Sequence, residues 1–170
     1  MTQIAASNYN VLAVGNDESN VAELFSLSTL TWDSTVPSYP YSTRIGSAAI
    51  VNPAGDQFFY VIGGYGASGI DHRYTLNTVA RFDEEQWVWA NLGSLNQKRH
   101  SHNVVFTKGS SEFLVVGGEW QSNLERSTTV QNEVCEGTNG KFACRSSGST
   151  LTGYVNYPEL FNVASHFCQS

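Results

Sequence analysis

A short unbroken apolar run, Phe58, Phe59, Tyr60, Val61 and Ile62, stops on two adjacent glycines, Gly63 and Gly64. Five residues are too few for a buried helix, and a run with no polar alternation needs cover on both faces, so it reads as a fully buried strand. The glycine pair lets the backbone leave that strand through angles a side chain would forbid. The pattern recurs: Phe113, Leu114, Val115 and Val116 lead into Gly117 and Gly118, and a weaker copy, Val11, Leu12, Ala13 and Val14, leads into Gly15. Repeated strands of this kind predict an all-β chain built from equivalent units.

The flanks fall into register on those glycines. An arginine-led strand precedes each strong copy, with Arg44 standing almost as far ahead of Gly63 as Arg99 stands ahead of Gly117. Turn residues, 52–57 and 107–112, separate it from the apolar run and predict a hairpin. Downstream, Phe25 precedes Trp32 by the same interval at which Phe82 precedes Trp89, with Asp83 to Gln86 as the intervening turn. Each unit therefore holds four strands over roughly 50 residues.

A four-stranded unit with an arginine-led first strand, a second strand ending in Gly-Gly and a tryptophan near its end resembles the kelch repeat, the blade of a β-propeller. The resemblance extends over most of the chain and divides it into approximate blades 1–43, 44–98 and 99–170. It departs from the pattern at Asn16, where the first unit lacks a second glycine, and at Cys144, where the third lacks its tryptophan. A last segment, Tyr157 to Val163, echoes residues 22–27 and suggests an extra outer strand. The resemblance implies structural repeat roles for Gly63, Gly64, Gly117, Gly118, Trp32 and Trp89, with Trp89 buried against the next blade. About three blades do not close a ring that needs about four to eight. The expectation is a partial propeller, cut from a longer one or completed by a second copy or another subunit.

Composition narrows the partners. A net charge of −6 and pI near 5.1 argue against nucleic acid and anionic membrane surfaces. No apolar window reaches the roughly 18 residues of a membrane helix, and the polar first ten residues do not read as a signal peptide. Cys135 and Cys144 bracket a turn-forming cluster, so a disulfide across a hairpin competes with two separate buried thiols. A bonded pair would favour an extracellular chain and a free one the cytoplasm. Cys168 would then be left for an intermolecular bond.

The chemistry-bearing residues point away from catalysis and from cofactors. His100 and His102 share a strand face, but no third ligand lies near in sequence, and His102 stands where kelch repeats often carry a packing histidine. His72 and His166 are isolated. There is no Gly-x-Ser-x-Gly elbow, no phosphate-cradling loop and no copper-ligand set of tyrosine, cysteine and paired histidines. Asp83, Glu84 and Glu85 read as solvated turn residues.

The expected function is non-enzymatic protein or peptide binding, or assembly. In a four-stranded antiparallel blade the loops joining second to third strands, and one blade to the next, emerge on one face. They carry Tyr39, Tyr41, Arg44, Tyr65, His72, Arg73, Arg99, Trp120 and Arg126, aromatic and arginine types that dominate interface energetics. A carbohydrate-binding module, with the same tyrosines and Trp120 stacking on sugar rings, and a secreted structural building block are the competing readings.

Overall fold

The computed structural model describes residues 3–6, 10–16, 19–41, 48–51, 58–67, 73–108, 112–121, 126–127, 129–138 and 141–152. They form strands and turns, with no helix among them. The first strands are β1 (Gln3–Ala6), β2 (Asn10–Asn16), β3 (Ser19–Ser26) and β4 (Thr31–Asp33). They make an antiparallel sheet in chain order. A second meander follows: β5 (Ala48–Val51), β6 (Phe58–Ala67), β7 (Arg73–Asp83) and β8 (Val88–Ser94). The third is β9 (Asn103–Lys108), β10 (Glu112–Val116), β13 (Thr129–Thr138) and β14 (Lys141–Thr152), with a short hairpin, β11 (Trp120–Gln121) and β12 (Arg126–Ser127), inserted after β10.

The three meanders share one register. Val11 opposes Phe25, which opposes Trp32. Phe59, Phe82 and Trp89 form the same row in the second meander, and Phe113, Cys135 and Cys144 form it in the third. The turns match as well, because Leu30 and Trp87, at equivalent turn positions, have φ of 57° and 56°.

Alternation along β6 explains its continuous apolar sequence. Successive side chains point to opposite faces, and both faces are covered. Phe59 and Val61 join Leu12, Val14, Leu24, Val36, Tyr39 and Phe82 in one core. Tyr60 and Ile62 join Val79, Leu92, Leu95, Phe113, Val115 and Cys135 in another. The two cores are thus the contacts of the second meander with the first and with the third.

Separate four-stranded units were the expectation, and here the structure differs. The second and third meanders are joined in one eight-stranded mixed sheet, ordered β5-β6-β7-β8-β14-β13-β10-β9, through a parallel pairing of β8 with β14. Gly93 permits it: a Cβ there would stand 2.6 Å from the Phe142 carbonyl oxygen. At the other end β5 lies beside β9, so the eight strands are nearly closed, barrel-like, around the second core. β5 also lies beside β1. The first strands of the three meanders are therefore neighbours.

Trp89 requires a correction. It packs on the preceding meander, not the next one. Its ring meets Tyr39 at 4.9 Å and Phe82 at 5.2 Å, and its indole N–H donates to the Pro37 carbonyl at 2.7 Å. The Phe82–Trp89 row faces backward along the chain because the segment leading into the second meander, through Pro37 and Tyr39, crosses that face.

Candidate functional site

The strap from Leu95 to His102 enters the third meander and carries the buried residues Arg99, His100 and His102. Leu95 N–H donates to the Asn77 carbonyl at 2.7 Å, as Tyr39 N–H donates to the Asn20 carbonyl at 2.7 Å one meander earlier. Arg99 N–H then donates to the Leu76 carbonyl at 3.0 Å, and the Arg99 carbonyl accepts Gly64 N–H at 2.8 Å. These bonds tie the strap to the second meander, and its side chains reach the third. Arg99, with no exposed surface, donates through Nη1 to the Gly117 carbonyl (2.9 Å), and through Nη2 to the Gln131 carbonyl (2.6 Å) and to Glu133. Glu133 Oε2 accepts Asn96 N–H at 2.7 Å, and its Oε1 accepts Gln97 N–H at 2.9 Å. These additional bonds offset the cost of burying the pair, although Arg99 Nε finds no partner among the described residues.

His100 exchanges backbone bonds of 2.9 Å with Glu119, and its imidazole Nε2 lies 3.6 Å from the Glu119 carboxylate. Tyr65 packs edge-on against the His100 ring, centroids 5.0 Å apart. His102 is sealed between two glycine pairs. A Cβ on Gly63 would lie 2.7 Å from the imidazole Cε1 and 2.7 Å from the Arg99 carbonyl oxygen, and one on Gly118 would lie 2.9 Å from His102 Cβ. Gly63, at φ +60°, is thus both the irregularity at which the β6–β7 register shifts and the floor under the next meander's strap, and β6 runs on past it instead of ending there.

Burial, and then the nearby Arg99 charge, push the His102 pKa down to about 3. The Ile62 backbone opposes that shift, and neither ring nitrogen reaches a partner at hydrogen-bond geometry among the described residues. His102 is a neutral packing group, and a buried neutral ring without solvent access is a poor acid or base. The cluster of Arg99, His100, His102, Glu119 and Glu133 is therefore a lock between meanders.

A disulfide joins Cys135 and Cys144, directly opposed on β13 and β14. Glu133, Cys135 and Cys144 offer three ligand-type atoms within 4.8 Å of one another. The sulfurs are bonded to each other, however, and thiolates, not disulfide sulfurs, ligate metals. The carboxylate is occupied by Arg99 and the two strap N–H groups.

Several residues expected on a binding surface lie elsewhere. Arg99 is wholly buried in the lock, and Tyr39 is a core residue in contact with Trp89. Tyr65 is 9% exposed. Tyr41 is half-buried, and its hydroxyl accepts from Asn91 of β8. Arg44 and His72 fall outside the described residues, as do His166, Cys168 and the 157–163 echo. The structure does bring two hairpins together. β6 and β7 run on past Gly64 as a paired extension, with Tyr65 opposite Thr75 and Arg73 opposite Ala67. The β11–β12 hairpin lies beside β7, with Trp120 opposite Ser127 and Arg126 opposite Gln121. Trp120, which is half-buried, thus stands on a hairpin with Arg126 and beside the strand that Arg73 begins.

Sequence reasoning missed Glu133, Glu119 and the backbone of Asn96 and Gln97. Glu133 carried a signal: a carboxylate two positions before Cys135, on the same strand face as that buried cysteine, needs a cation to stay buried. Its partner Arg99 is distant in the chain, and no local pattern names it.

These features define an all-β protein of three repeated antiparallel meanders locked by a glycine-floored strap. The chain matches no protein-family model and no curated protein. It is similar in fold to the solved structure of YjhT, with a TM-score of 0.59 at 18% identity over 71% of this chain and 34% of that one. The chain thus spans about a third of that structure's length. Among the described residues no helix is long and apolar enough to cross a membrane.

Proposed function

We propose that the chain is a segment of a kelch-type β-propeller that acts as a non-catalytic protein-binding module, its ligand surface formed by the ends of the β6–β7 and β11–β12 hairpins. The propeller reading draws on three meanders in one register, on first strands that neighbour each other, and on Gly63 and Gly118 closing over Arg99 and His102 of the strap.

The binding reading is carried by one observation: the titratable cluster that most resembles an active site is sealed, with Arg99 held by Glu133, whereas Trp120 keeps part of its surface open on a hairpin that adjoins β7. Trp and Arg are the types that anchor partners, and Arg73 and Arg126 belong to the same two hairpins. The disulfide supports an oxidising compartment.

Selection of a random peptide library on the immobilised chain tests the reading. Enriched peptides should lose at least about tenfold in affinity on Trp120→Ala, with the melting temperature retained. Failure to enrich any peptide, or binding indifferent to Trp120→Ala, overturns it.

A further inference from the structure

The rows that build the two internal interfaces recur in the first and third meanders, where their large apolar side chains are half-buried or exposed. On its backward face the second meander presents Phe59, Phe82 and Trp89, which are packed against the first meander. The first meander carries the same row on the same face, Val11, Phe25 and Trp32, with the Phe25 and Trp32 rings tilted against each other at 5.1 Å. There Trp32 is 56% exposed, and Val21, on the same strand face as Phe25, is 43% exposed. Glu23 also stands in that face at the register of Glu133, which in the third meander binds strap N–H groups.

The opposite end is complementary. On its forward face the second meander presents Tyr60 and Ile62, 3% and 0% exposed, to the third. In the third meander Leu114 and Val116 hold those two positions before the glycine pair and are only half-buried. The row through Leu114 runs on to Val134 and to Val105, which is 52% exposed. The outer face of the first meander is thus the socket half of the internal interface and that of the third meander its insert half. Faces of this kind pair head to tail, not like with like.

We propose that the Phe25–Trp32 face of the first meander receives the Val105–Leu114–Val134 face of the third meander of a second copy, and that two copies close one ring through two such contacts. With three meanders each among the described residues, two copies of this chain supply six units, within the range of about four to eight at which propellers close. The closure rests on the propeller reading above, but not on the peptide-binding role of the hairpin ends.

Light scattering behind size exclusion, on the full oxidised chain over a range of concentrations, should give twice the mass of one chain and no larger species. Trp32→Glu and Val105→Glu should each weaken the dimer at least about tenfold, with near-ultraviolet circular dichroism reporting an intact fold. Val21→Lys substitutes on the first face if Trp32→Glu does not fold. Mixing the Trp32 and Val105 variants should restore dimers, because in the mixed pair one of the two contacts is wild type on both sides.

A monomer at all concentrations overturns the proposal, as does a species that grows past two copies. A dimer sensitive to Trp32→Glu but not to Val105→Glu would show like faces pairing, and failure of the mixture to associate would show that the two faces do not meet. Peptide capture dependent on Trp120 reports separately on the hairpin surface, so the two readings fail independently.

Discussion

Cys135 and Cys144 are bonded across β13 and β14 at the register position held by Phe82 and Trp89 in the second meander, and by Phe25 and Trp32 in the first. A covalent pair stands in for an aromatic one. Both kinds of pair fill the backward face of a meander, and Cys135 is wholly buried against the second meander's core.

The disulfide closes a loop of about ten residues, for which the chain-entropy account gives about 2–3 kcal/mol of stability. Reduction should lower the unfolding free energy by that amount, measured by urea titration with and without reductant. Alkylation of the native chain without reductant should leave Cys135 and Cys144 unlabelled. Labelling of either residue, or an unchanged urea midpoint, contradicts the assignment.

Trp89 and Trp32 hold one repeat position in different surroundings. Trp89→Ala removes contacts to Phe82 and Tyr39 and the bond to Pro37, so it should cost about 3 kcal/mol. Trp32→Ala, measured in dilute monomer, should cost less than about 0.5 kcal/mol, as for other exposed positions. Equal costs would mean that the internal interface does not depend on the aromatic row.

His102 makes stability depend on pH. Its folded pKa, about 3, lies below the ordinary histidine value of 6.5, so between those values the unfolded chain binds the extra proton. Stability from this group is complete above about pH 6.5 and falls with acidification toward pH 3. From pH 7 to pH 5 the loss should be about 2 kcal/mol. Urea midpoints at the two pH values would measure it, and His102→Gln should remove that share of the slope. An equal slope in the variant would show that the ring is protonated in the fold.

Much of the architecture was legible because its signals are local. The β6 and β10 runs, the matched Phe–Trp spacing and the cysteine-flanked turn each depend on a few adjacent residues, and each became the strand, row or hairpin expected, whereas Gly63 and Gly64 did not end their strand, which runs on to Ala67. The candidate site was read less well. Arg99 and Tyr39 are surface types by composition, and only the arrival of Glu133 and Trp89 from other strands turns them inward.

Sequence alone was enough to set the buried strands and which of their side chains share a face, since strand alternation is a property of the backbone, but it read the β6–β7 extension and the β11–β12 hairpin as loops. Which of those faces are covered depended on tertiary contact. Trp32 and Trp89 have the same local pattern, yet one is open and the other packed, because burial requires a neighbouring meander on that side. The parallel join of β8 to β14 is of the same kind: it brings Gly93 and the Phe142 carbonyl, far apart in the chain, as close as only a missing Cβ allows.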